Sequence, residues 1–329
     1  MQITYSSTVN RDDWRYVLEN AALANIFHTL EYFDVQTSSL LGHTLLYSCC
    51  YIDDEPAAII TGVRNASGYH QGLIEVGTKS GGYPLMIDAY DQHPDAEHLK
   101  NRCIEHFARR YLQGERWIFY PSFNLEHCIL DQGDWHSTKQ YDAAAFLDLR
   151  QDEETLLIGM GGKCRNAVRY AQRQGVTARI ANELQYFEKF YECYKAVRIK
   201  KKTQYIGYDE LRVKFETFTR QGLADLWVAF LEDTPLAYAF IWKYNRTINF
   251  VYGSSDERGW PYKTNNLIQW ELIRFYHNQG YELYNMWGVR NMNFDGNNTP
   301  ASQQEIEGYG KFKLSFGAEL RDIIRYVRV

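Results

Sequence analysis

Arg165, Arg169 and Arg173 recur at i, i+4 and i+8 within GKCRNAVRYAQRQGV (162–176), a stripe of three guanidinium groups along one helical face. Guanidinium forks hold carboxylates and phosphates through paired hydrogen bonds. The stripe opens a wider basic region. From Lys163 to Lys202 there are 11 Lys and Arg against three Glu (Glu183, Glu188, Glu192), a balance of +8, so the rest of this chain of net charge -5 carries -13. Charge gathered this way is a footprint for a polyanion, whether nucleic acid, a phosphorylated cofactor or an acidic carrier protein. The competing reading is a set of solvated helix faces.

A second segment with chemical character is EGYGKFKLSFGAEL (307–320), which sets three glycines, two lysines and two phenylalanines between Gly308 and Gly317. Phe312 and Phe316 call for packing partners, and the glycines for a close turn inside what otherwise reads as a strand. Familiar catalytic signatures are missing: there is no GxSxG, no GxxxxGK[ST], and no GxGxxG after a strand. KSGGYP (79–84) reads as a turn or a close backbone approach. Six cysteines lack any CxxC pair and nine histidines lack ligand spacing, so reduced, buried thiols and no metal site are expected. Cys164, among basic residues, is the one candidate for a reactive thiol.

The elements that must position these residues follow from periodicity. The 329-residue chain is 45% hydrophobic and 16% aromatic, enough for two ordered domains. No apolar run is long enough to span a membrane and the N-terminus lacks signal-peptide character, so a cytoplasmic location is expected. Two stretches look alike, LYSCCYIDDEPAAIITGVRN (46–65) and LWVAFLEDTPLAYAFIWKYN (226–245). Each is an apolar strand, an acidic turn, and a small-residue strand with Pro56 or Pro235 at its entry. Helices precede both hairpins, and a strand, a helix and a further strand follow both. This predicts an α+β chain of two similar domains, 1–150 and 151–329, each a mostly antiparallel sheet flanked by helices. The clearest helices are 160–175, ended by Gly175, and 265–279, capped by Thr264 or Asn265 and ended by Gly280.

Four stretches in this order resemble the FemABX N-acyltransferases, whose domains are tandem GNAT folds. They are GKCRNAVRYAQRQGV (162–176), FYECYKAVRIKK (190–201), YELYNMWGV (281–289) and GYGKFKLSFG (308–317). The likeness covers roughly 150–320; the N-terminal half joins it loosely, through NIFHTLEYF (25–33) and GGYP. What the resemblance implies is transfer of an aminoacyl group from aminoacyl-tRNA, or of an acyl group from a thioester, to an amine of a peptide. Such aminolysis needs a neutral amine, oxyanion donors and orientation, but no enzyme nucleophile. By resemblance the C-terminal domain takes the donor and the N-terminal domain the acceptor. Lys313 and Phe312 line the donor tunnel, Arg198 contacts an anionic group of the acceptor, Tyr252 faces the cleft, and Trp287 walls the tunnel. An ordinary strand lysine with its head in water is the alternative for Lys313.

Two departures narrow the partners. Where cell-wall members carry Q-[ST]-x-x-W and a lysine, this chain has His28-Thr29-Leu30-Glu31-Tyr32 with no lysine nearby, against a nucleotide- or lipid-linked muropeptide acceptor. DERGWPYKTNN (256–266) is not the pyrophosphate loop of CoA-dependent relatives, although Lys263 and the helix start there suit one phosphate. The expected donor is therefore aminoacyl-tRNA or an acyl carrier protein rather than acyl-CoA, as a co-substrate with no resident cofactor. A non-catalytic module docking RNA or an acidic protein through the basic face is the reading from another class.

Overall fold

In the computed structural model, which describes residues 1–67, 70–289, 299–300, 306 and 308–328, the two look-alike hairpins head two separate units. The first includes Met1–Ala143 and Asp322–Val329; the second includes Ala144–Val289 and Ile306–Arg321.

In the first unit, β1 (Ile3–Ser6) is followed by α1 (Arg11–Asn20) and α2 (Leu30–Gln36), and then by the hairpin β2 (Thr44–Ile52) and β3 (Glu55–Arg64). β4 (Ile74–Val76), β5 (Leu85–Met86), α3 (Asp88–Asp91), α4 (Ala96–Tyr111) and β6 (Trp117–Phe119) complete the run. Asn10 caps α1 by accepting from the amides of Asp12 and Asp13. The sheet runs β1-β2-β3-β4-β6, antiparallel except for β4 and β6, which are parallel across α4. The outer edge of β6 is covered by the chain's last strand, with Tyr326 opposite Phe119 and Val327 opposite Ile118. The last strand therefore belongs to the first unit, which a plain division into halves does not contain. Its physical reason is the bare row of N–H and C=O groups that β6 would otherwise present.

In the second unit, the end of β7 (Thr138–Asp148) leads into α5 (Glu153–Gly159), α6 (Gly162–Arg173), β8 (Val176–Ile180), α7 (Leu184–Lys200) and α8 (Tyr208–Arg220). The second hairpin, β9 (Ala224–Leu231) and β10 (Thr234–Tyr244), precedes β11 (Thr247–Ser255), α9 (Thr264–Asn278), β12 (Leu283–Gly288), α10 (Tyr309–Leu314) and the start of β13 (Glu319–Arg328). β8-β9-β10-β11 are antiparallel, β11 and β12 are parallel across α9, and β7 covers the outer edge of β12.

The two hairpins agree in detail. Their two-residue turns are Asp53-Asp54 and Glu232-Asp233, and an extra residue follows the proline in each: Ala57 between the Pro56–Tyr51 and Ala58–Cys50 pairs, Leu236 between Pro235–Phe230 and Ala237–Ala229. The likeness read from residues thus extends to the bulge.

Helices cover both faces of the second sheet. On one face Phe190 of α7 meets Tyr238 and Phe240, with ring centroids at 6.1 and 6.2 Å, and Phe218 of α8 meets Trp242 at 5.0 Å. Trp227 sits opposite Ala239 and so points to the other face, where it meets Phe275 and Tyr276 of α9 at 5.4 and 6.1 Å. This divides the basic region. α6 packs with α9 and β8, while α7 lies across the sheet. Lys163–Arg173 and Lys189–Lys202 therefore occupy different faces, and the single concentrated patch expected from the count does not form.

Candidate functional site

The ladder between β11 and β12 holds only three pairs, Thr247–Leu283, Ile248–Tyr284 and Asn249–Asn285. β11 runs on to Ser255 and β12 to Gly288, so the strands part after two fully buried asparagines, both 0% exposed. Beyond this rung the two strands no longer pair, and a slot opens between them. The side chain of Asn285 replaces one lost ladder partner by accepting from the Trp287 amide at 2.8 Å. Trp287 itself holds φ 70, a conformation that costs a bulky residue energy and that marks functional backbone.

A bulge re-aims the other wall. Phe240 pairs with Tyr252 and Ile241 with Phe250, which leaves Val251 extra. Phe250 and Tyr252, two apart, consequently point to opposite faces of the sheet. Tyr252 joins the α7 side, near Phe240, Trp242 and Tyr194 (centroids 6.4, 5.9 and 5.8 Å). Phe250 lies over Gly253, where a Cβ would come within 2.3 Å of its ring.

Lys313 reaches the Phe250 side. Its Nζ donates to the Gly288 carbonyl at 2.7 Å, at the end of β12, and lies 5.8 Å from the Phe250 ring centroid and 5.4 Å from that of Tyr309. Only 8% of the residue is exposed, so the water-facing strand lysine is excluded. The segment is also a helix, α10, where a strand was expected. FKLSF has no β-branched residue, and Phe316, just past the end of α10, meets Phe312 edge to face with ring centroids 5.2 Å apart. Gly310, one turn before Lys313, lets α10 touch the end of β12: a Cβ there would meet the Val289 carbonyl at 2.4 Å. Gly317, at φ 85, passes against Gly159, and Ser315 accepts from the Gly161 amide at 2.8 Å, tying α10 to the start of α6.

The other anion-binding candidates are dispersed. Arg165 donates to the carbonyls of Ile158 (2.7 Å) and Met160, closing the end of α5 rather than facing a ligand. Arg169 and Arg173 are exposed on α6. Arg198 lies 5.3 Å over Tyr194, on the Tyr252 side. Lys263 is exposed at φ 58 and is itself the N-cap of α9, with no side-chain cap bond. The expected caps are engaged elsewhere: Thr264 Oγ1 donates to the Gly259 carbonyl, and Asn265 Nδ2 to Ser255 Oγ at 3.0 Å. Lys313, expected in the donor tunnel, and Tyr252, expected to face the cleft, thus approach the slot from opposite faces. Asn285, Phe250 and Gly288 were not singled out; Asn285 and Gly288 stood inside the quoted YELYNMWGV.

Cys164 is buried, and burial pushes its thiol up, the reverse of what a reactive cysteine needs. Half-buried Glu97 and exposed Glu126 and His127 bring ligand atoms within 4.8 Å of one another, which surface acidic groups do without an ion.

In the first unit the two segments of looser likeness meet. His28 Nδ1 accepts from the Asn25 amide, its Nε2 lies 3.2 Å from the Gly82 carbonyl, and Asn25 Nδ2 donates to the Ser80 carbonyl at 2.8 Å. A Cβ on Gly82 would fall 1.9 Å from the Pro121 carbonyl oxygen, so GGYP is a close backbone approach, not a free turn. Complete burial holds the His28 imidazole neutral, with its pKa pushed down to about 4.

Residues 162–295 match the family of acetyltransferase (GNAT) domains. No curated protein matches the chain by sequence. Among solved structures, FemX superposes with a TM-score of 0.71 at 12% identity, covering 98% of this chain and 97% of that one. The C-terminal domain of a putative lysylphosphatidylglycerol synthetase from Agrobacterium fabrum gives 0.57 at 13% identity, covering 98% and 92%. A tandem GNAT protein from the clavulanic acid biosynthesis pathway gives 0.53 at 10%, covering 99% and 98%. The α+β fold and the likeness to FemABX-type tandem GNAT proteins are thereby borne out, and residues 162–295 match an acetyltransferase (GNAT) domain. Among the described residues no helix is long and apolar enough to cross a membrane.

Proposed function

Taking a chain of two GNAT-type units as the premise, we propose that it is an N-acyltransferase that moves an aminoacyl or acyl group from an activated ester or thioester to an amine, on a peptide. The observation that carries this reading is buried Lys313, held by the Gly288 carbonyl at the slot between β11 and β12. In the reaction the amine nitrogen attacks the carbonyl carbon and a C–N bond forms. The C–O or C–S bond then breaks, and the amine's proton passes to a carboxylate or to a group of the substrate. The backbone of β11 just beyond Asn249 suits the oxyanion, and the Lys313 ammonium adds positive charge beside it. Phe312, Phe250 and Trp287 flank the acyl chain. The amine enters from the α7 face, past Tyr252 and Arg198, and the first unit serves the acceptor. Lys263 and the start of α9 suit a donor phosphate, with Arg169 and Arg173 further along the α6 side.

The donor is aminoacyl-tRNA in the favoured form and an acyl carrier thioester otherwise; FemX is the neighbour that supports the former. The test is to incubate the protein separately with charged tRNA, acyl carrier protein and acyl-CoA, with a mixture of amines present. Deacylation of one donor, with the label recovered as an amide, is the expected result. Hydrolysis or transfer of none, with intact folded protein, removes the proposal in favour of a binding module.

A further inference from the structure

Burying a lysine head costs free energy unless groups around it replace the water it loses. Lys313 is 8% exposed. Its Nζ meets the Gly288 carbonyl at 2.7 Å and lies over two rings, with centroids at 5.8 Å for Phe250 and 5.4 Å for Tyr309. An ammonium over a ring is attracted by the negative face of the π system, which carries no net charge. The choice of partner matters at the slot. A carboxylate would cancel the charge it holds, whereas a ring holds an ammonium and leaves its charge to act on a neighbour.

The three contacts differ in origin. Gly288 offers backbone at the end of β12, and Phe250 is seated on β11 by the bulge at Val251 and the bare Gly253. Tyr309 belongs to α10 itself, four residues before Lys313. Helical side chains lean toward the N-terminus, so the lysine stem runs back over the turn that Tyr309 begins. The tyrosine is 42% exposed and the lysine 8%, which puts the ring on the solvent side of the ammonium. Its place is set by the backbone as well. Gly308, at φ 47 and ψ -105, turns the chain just before it, in a conformation that glycine adopts and residues with a Cβ avoid.

We propose that Tyr309 is a positioning residue for the transfer: its ring holds the Lys313 ammonium at the slot between β11 and β12 and screens it from solvent. This rests on the acyl-transfer reading and adds to it a residue that acts through Lys313 alone. A half-exposed tyrosine that only covers its own helix would, on replacement, leave Lys313 as it was.

The test compares the full chain with Tyr309→Leu, which keeps apolar volume without a ring, and Tyr309→Phe, which keeps the ring. One readout needs no substrate: reductive methylation by formaldehyde and cyanoborohydride, followed lysine by lysine by peptide mass spectrometry. Exposed Lys311 on the same helix is the reference, and Lys214, 4% exposed on α8, reports on the fold. Methylation of Lys313 is expected to rise several-fold in Tyr309→Leu and not in Tyr309→Phe, with Lys214 unchanged. The second readout is transfer from whichever donor the protein deacylates. Tyr309→Leu should lower kcat by about 10-fold, the size of a cation–π contact to a desolvated ammonium, with the donor KM kept and Tyr309→Phe near the unaltered rate. Its kcat should also fall with added salt where that of the unaltered protein does not, because a charge open to water is screened. Methylation or kcat unmoved by Tyr309→Leu, an equal loss in Tyr309→Phe, or a rise shared by Lys214 overturns the assignment. The two proposals fail separately. Lys313 methylated faster in Tyr309→Leu, with no donor used by the unaltered protein, leaves the ring's hold and removes the enzyme. Transfer indifferent to Tyr309→Leu leaves the enzyme and removes the part given to Tyr309.

Discussion

At the scale of single residues, Lys313 and His28 are both buried, and burial sets the charge state of His28. Lys313→Met keeps the stem and removes the ammonium. Transfer is expected to fall by about 100-fold or more, as when a preorganised oxyanion donor is lost, with circular dichroism and donor binding retained; an unaltered rate would falsify the catalytic assignment. His28 bears on stability. Its folded pKa of about 4 lies below the unfolded value near 6.5, so the unfolded chain binds the proton first. Stability held in full above pH 6.5 is lost as the pH falls toward 4, by up to about 3 kcal/mol. Denaturant melts across that window should show a shallower loss for His28→Gln than for the unaltered protein, and parallel curves would show that the imidazole is not buried neutral. The sequence marked His28 as a departure from a family motif, but not its job, because the Gly82 carbonyl that engages it lies 54 residues away.

At the scale of elements, the hairpins, α6, α9 and the strand–helix–strand order were legible because hydrophobic period and turn chemistry are local. What was not legible depends on register. A one-residue bulge at Val251 sends Tyr252 and Phe250 to opposite faces, and no motif containing both states that. The basic count failed similarly, since a sum over 163–202 ignores that α6 and α7 pack on different faces. The glycines carry this geometry. Gly253→Ala forces Phe250 off its seat, because the new methyl lies 2.3 Å from the ring. Transfer should drop while the melting temperature moves by only a few degrees, as expected for a displaced half-exposed side chain. Gly310→Ala presses on backbone instead, at the Val289 carbonyl, and should cost about 1–3 kcal/mol together with activity. Equal stability of the two variants would contradict this placement of α10.

At the scale of the whole molecule, duplication explains why one set of patterns is read twice, while the family match and the Lys313–Gly288 contact lie in the second copy. The second copy also takes its outer strand from chain lying before it, and the first from chain lying at the far end. Deleting residues from Asp322 onward removes Ile323, Tyr326 and Val327 from the first core, each at most 3% exposed, at about 5 kcal/mol or more by burial alone. Amide exchange should then lose protection at Trp117–Phe119 and keep it at Thr247–Asn249; protection retained at both would show that β6 does not depend on the last strand. The same strand sets an order on the ribosome. Synthesis normally lets the first domain fold first, but here the strand covering β6 emerges roughly 180 residues, or about 10–40 s, after the rest of its sheet. The later sheet, β8 to β12, can pair while the earlier one waits with an open edge, so it is the nascent first unit that chaperones must shield.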